Sequence, residues 1–186
     1  LHIGYLCLMN WSHFLVCVLA LLALICLAPL SFHIGTWIPI TLQSLVILTI
    51  AIGLGAGWGT LIVIMYLMLG GLGMPIFAEG SSGWAKFAGP SAGFLVGFAV
   101  SSLVVGWLAQ NSNRKNLWTL FKLFITGHLI ILLFGFLYLL NFKTWMEIIT
   151  EIYPPLLPGL LVKSIIGALL LFVFGKYMAS KTPSLT

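Results

Sequence analysis

The most chemically telling residue of this chain is a lysine inside an otherwise apolar run. Lys163 sits in LLPGLLVKSIIGA. An ammonium there is costly to bury, so it marks either a ligand group or a side chain that snorkels to the membrane interface. Gln43 and Tyr66 pose the same question, because an amide and a phenol placed in apolar surroundings each need a partner. The stretch FAEGSSGWAKFAGP, residues 77–90, gathers Phe77, Glu79, Ser81, Ser82, Trp84 and Lys86 around glycines. Glycine lets such a loop fold closely about a ligand. Phe77 and Trp84 offer flat apolar surface, and Glu79 and Lys86 offer an acceptor and a donor of opposite charge. Together these groups suit a small amphipathic molecule with an apolar body and polar ends. A solvated outer loop and simple packing are the bland alternatives.

Catalytic chemistry finds no support. Asp is absent from the whole chain, which removes any triad or metal site that needs it. His2, His13, His33 and His128 show neither H-x-x-x-H nor H-E-x-x-H spacing. No nucleotide-binding motif is present, so this chain is expected to be no enzyme and to bind no cofactor or metal. ATP, if used, belongs to partner subunits. Cys7, Cys17 and Cys26 form no C-x-x-C pair and read as small apolar residues.

The elements that must carry these side chains are membrane helices. Hydrophobic residues make up 61% of the chain and charged ones 6%, against about 25% charged in a soluble domain. Glu79 is the first formal charge. One span needs about 20 apolar residues, and segments such as 15–30 and 129–140 are apolar on every face, which favours helices over a barrel. The predicted fold is an all-α polytopic integral membrane protein, a single membrane domain with six transmembrane helices. The spans fall at about 11–30, 40–56, 60–72, 91–110, 117–140 and 160–178, broken by Pro29, by Gly53 to Gly59, by Gly70 to Pro75 and by the polar loop NSNRKN. Residues 142–153 read as a short amphipathic interfacial helix.

The net charge of +5 is a topology signal, since no basic stripe or stacking module accompanies it to suggest nucleic acid. Arg114, Lys115, Lys176 and Lys181 fall on one side of a six-span layout, with both termini. The positive-inside rule makes that side cytoplasmic and places the chain in the cell (inner) membrane, in contact with lipid. Lys163 then lies near the outer end of the last span. Gly89, Gly93, Gly97 and Ser101 recur every four positions and form one ridge of small residues. Such a ridge suits a docking face for a partner membrane protein as well as internal packing.

The ordered motifs PITLQ (39–43), YLMLGGLGMPIF (66–77) and GPSAGF (89–94), with PGLLVK (158–163) further on, resemble the BioY family of biotin transporters. The resemblance implies a six-helix protein that binds biotin from outside. It also implies work as the substrate-specific component of an energy-coupling-factor transporter, with a membrane coupling protein and two ATPases, although some members are thought to function alone. Lys163 holds the position of the family's lysine at the start of the last span. Leu160 stands where the family usually carries Asp, and Ser81 where many members carry Arg. A transport component for another vitamin or precursor is the nearest alternative. A structural membrane protein without a small ligand is the alternative of another class.

Overall fold

The computed structural model describes residues 11–32 and 40–181. The termini, with His2, Cys7, His33, Gly35 and Pro39, lie outside the described residues. Helix α1 (Trp11–Leu27) stops ahead of Pro29. A two-residue antiparallel pair, β1 (Ser31–Phe32) with β2 (Ile40–Thr41), joins it to α2 (Gln43–Gly71).

Helix α2 is a hairpin. At Gly55 the backbone leaves the helical region (φ 80°, ψ −178°), a conformation open to glycine because it lacks a Cβ. The Gln43 amide consequently reaches the Tyr66 hydroxyl at 2.8 Å. On a straight helix those residues would stand about 35 Å apart. The two arms, 43–54 and 56–71, correspond to the second and third predicted spans. The turn is tighter than the glycine cluster suggested, because Gly53, Gly57 and Gly59 are helical. Gly59 serves a different end. A Cβ there would come within 2.8 Å of the Ala51 Cα, so its absence lets the arms touch.

Helices α3 (Ala92–Gln110) and α4 (Leu117–Leu139) follow, the latter capped where the Asn116 side chain accepts from the Trp118 amide at 2.9 Å. The short turn α5 (Trp145–Glu147) opens with a capping box between Thr144 and Glu147 and runs into a wider helical turn, Ile148–Ile152. Helix α6 (Leu156–Lys181) starts earlier than the predicted residue 160, since Pro158 lies in the first turn, where a missing N–H costs no helical bond. Among the described residues four helices are long and apolar enough to cross a membrane, and α1 is a shorter apolar helix. Because one of the four doubles back at Gly55, the described residues form a bundle of six apolar helical segments.

Small residues set the helix spacing. Gly93 and Gly97 lie against the α4 backbone at Phe134 and Ile131, Gly106 against the backbone at Gly55 and Ala56, and Gly127 against Leu48. Ser101 is fully buried and donates to the Phe98 carbonyl at 3.1 Å. The predicted docking ridge is therefore covered from within by α4 along Gly93 and Gly97. Gly89, in the turn before α3, makes only ordinary contact with the Ala85 carbonyl. The fully buried side chains include Tyr66, Phe124, Ile47, Leu48 and Val105.

The two ends of the bundle differ. At one end Arg114 donates to the Ile52 and Gly53 carbonyls at 3.0 and 3.3 Å, and the Gln110 side chain lies over Gly55. The Gly55 turn and the 111–116 loop thus share an end, as the six-span layout implied. The 77–91 segment and the starts of α2, α3 and α6 gather at the other.

Candidate functional site

A cavity of about 320 Å³ opens at the second end, between the starts of α2, α3 and α6, the later half of α4 and the 77–91 segment. That volume lies at the lower end of the range that holds small ligands. Its apolar lining includes Phe94, Leu95, Phe98, Ile131, Leu132, Leu156 and Leu160. Its polar lining includes Thr41, Gln43, Ser44, His128 and Lys163, with Glu79, Ser81 and Lys86 from the loop.

The loop is a built wall. Gly83 N–H donates to the Gly70 carbonyl at 2.7 Å, and Phe77 N–H to the Ser81 carbonyl at 3.0 Å. Aromatic edges continue from Tyr66 to Phe77 (5.7 Å between centroids), from Phe77 to Phe87 (5.9 Å) and from Phe87 to Trp84 (5.3 Å). Phe77 fills the space beside Gly70, where a Cβ would collide, and Trp84 packs beside Gly71, where a Cβ would sit tightly at 3.0 Å. The glycines of the third predicted span therefore seat the loop's aromatics. Glu79 holds a left-handed backbone (φ 61°, ψ 26°), which a non-glycine residue rarely adopts. Its N–H donates to the Pro29 carbonyl at 3.3 Å, tying the loop to the exit of α1. Strain of this kind concentrates at ligand clamps.

Five of the seven predicted binding residues line the cavity: Lys163, Lys86, Glu79, Phe77 and Gln43. Two do not. Tyr66 is fully buried behind Gln43, whose amide N–H it accepts while donating its own proton to the Ile76 carbonyl at 2.7 Å. That bond leaves the Gln43 amide carbonyl as the group available to a ligand N–H. Trp84 is 52% exposed and braces the loop from outside the cavity. Leu160, in the position where the resembled family carries a carboxylate, lines the cavity, so no anion stands on that turn of α6.

Lys163 links the polar lining to the segment that opens α2. Its ammonium donates to Ser44 Oγ at 2.8 Å and to the Thr41 carbonyl at 3.3 Å. Ser44 lies in the first turn of α2 and Thr41 at the end of β2, just ahead of it. An ammonium carries three protons, so one is left for a ligand acceptor. Ser44 Oγ lies 3.3 Å from His128 Nε2, and His128 Nδ1 lies 2.9 Å from the Phe124 carbonyl and 3.1 Å from Ser164 Oγ. The sequence reading missed Ser44 and His128. The signal that marks His128 is an ionisable side chain in the middle of an apolar span. Among the described residues no group of three or more His, Cys, Asp or Glu could hold a metal ion.

Comparison with known proteins agrees with this architecture. A model of the BioY family matches residues 7–180. The chain is 35% identical over 149 residues to biotin transporter BioY2 of Lactococcus lactis, covering 80% of each protein. It is 33% identical over 146 residues to biotin transporter BioY of Rhizobium etli, covering 72% of this chain and 75% of that one. Its fold matches the crystal structure of the S-component for biotin from an ECF-type ABC transporter with a TM-score of 0.78. That match has 23% identity and covers 91% of this chain and 95% of the other.

Proposed function

The chain belongs to the BioY family, and we propose that it takes up biotin across the cell membrane as the substrate-specific component of an ECF-type transporter. The observation that carries this reading is the cavity itself, whose lining combines a donor and an acceptor with apolar side chains. Biotin has a ureido edge, a largely apolar pair of fused rings and a valerate carboxylate. The free Lys163 proton and the Gln43 carbonyl offer a donor and an acceptor to one polar end of the ligand. Lys86 offers a second cation to the other end. Phe94, Phe98 and Ile131 cover the rings.

The cavity faces outward and the Arg114 end faces the cytoplasm, as the positive-inside rule favours. Both termini are then cytoplasmic. A membrane coupling protein and two ATPases supply the energy, and the chain itself binds no cofactor. Titration of the purified protein in lipid nanodiscs with biotin tests the assignment, and saturable binding at micromolar ligand is expected. No saturation, or stronger competition by thiamine, riboflavin or dethiobiotin than by biotin itself, overturns the ligand.

A further inference from the structure

We propose that His128, acting through Ser44, is the positioning residue that holds the Lys163 ammonium toward the ligand. The hydrogen-bond directions carry the argument. A carbonyl only accepts, so His128 Nδ1, 2.9 Å from the Phe124 oxygen, bears the ring proton. Nε2, 3.3 Å from Ser44 Oγ, is then the acceptor for the serine proton. With its proton committed to the histidine, Ser44 turns a lone pair to Lys163 at 2.8 Å. The direction runs one way, from Lys163 to Ser44 to His128 to the α4 backbone. His128 and Ser44 are both buried.

Without His128 this order fails for a local reason. A serine in the first turn of a helix that lacks an outside acceptor turns back to a carbonyl three or four residues earlier in the chain. For Ser44 the carbonyl three residues back is that of Thr41, which also accepts from Lys163 at 3.3 Å. The serine would then compete with the ammonium for one oxygen, and Lys163 would lose its fixed direction. His128 therefore sets the pose of a cation that belongs to a different helix.

The inference rests on the functional reading above only in that biotin is the ligand titrated. In the full-length protein in nanodiscs, His128→Leu should weaken biotin binding about tenfold, a coupling usual for residues of one network. His128→Gln, whose amide oxygen can accept from Ser44, should bring affinity back to within about threefold of the parent. In a Lys163→Met background, His128→Leu should change affinity by less than about twofold. Equal losses in both backgrounds mean a merely structural histidine and overturn the proposal, as does an unchanged affinity in the parent background. Should the leucine variant fail to fold, Ser44→Ala breaks the same bridge at little change in volume, and parental affinity in that variant overturns the relay. A ligand-free readout separates this proposal from the biotin assignment. The Lys163 ammonium signal in 15N-lysine spectra, assigned by its loss in Lys163→Met, should shift in His128→Leu and return in His128→Gln. An unshifted signal overturns the positioning role whether or not biotin binds.

Discussion

The two ends of the bundle solve the same problem in opposite ways. At the Gly55 end, polar groups close on the backbone. Arg114 donates to the carbonyls of Ile52 and Gly53 just ahead of the helix break, and Gly106 brings α3 onto the turn. At the cavity end, side chains partner each other and leave capacity over: a proton on Lys163, a carbonyl on Gln43. One end is thereby a rigid plug and the other a site that can take up a ligand. A membrane interior makes the contrast sharp, because polar groups there find partners within the protein or line a cavity.

Perturbing each end tests that division. Lys163→Met should have the largest effect, a loss of about 2 kcal/mol or more in biotin binding, roughly 30-fold, with little change in melting temperature. An unchanged affinity would make the lysine an interfacial anchor and erase the contrast. Gly106→Val should act the other way. Its methyl groups meet the backbone at Gly55 and Ala56, so stability should fall by about 1–3 kcal/mol while the protein that remains folded binds biotin normally. Weakened binding without destabilisation would mean that the ends are coupled. Arg114→Gln should follow with about 1 kcal/mol of stability lost, read as a lower melting temperature at constant affinity.

The smallest effect belongs to the turn between α4 and α6. The Thr144 N–H and hydroxyl and the Lys143 ammonium hold the Glu147 carboxyl below the usual carboxylate range. Its folded titration lies below its unfolded one. The contribution is therefore present above the unfolded value and is lost as pH falls through the folded value. Amide exchange in the turn Trp145–Ile152 should accelerate over that acid window. Thr144→Ala should flatten the response, and an identical profile in the variant would remove Glu147 from the account.

Much of this was legible in the residues. Composition demanded membrane helices, and glycine and proline marked the breaks, so α3 and α4 begin and end within a residue of expectation. Less legible was the use made of the small residues. The Gly89 to Ser101 ridge has the pattern of a docking face, but the same pattern serves any close helix neighbour, and here α4 occupies it along Gly93 and Gly97. Trp84 and Tyr66 were expected at the ligand because of their chemistry. Each is instead held one layer away, by Gly71 and by Gln43.

The sequence by itself determined which groups had to be special. In a chain with 6% charged residues, Lys163, Gln43 and His128 each lie in apolar surroundings that oblige them to find a partner. Only the tertiary structure decided who those partners are. Ser44 meets His128 across 84 positions and Lys163 across 119, on three different helices. No local pattern encodes such a meeting, because it depends on how closely α2, α4 and α6 approach. That approach is set by the space that glycines such as Gly127 and Gly167 leave for Leu48 and Phe124.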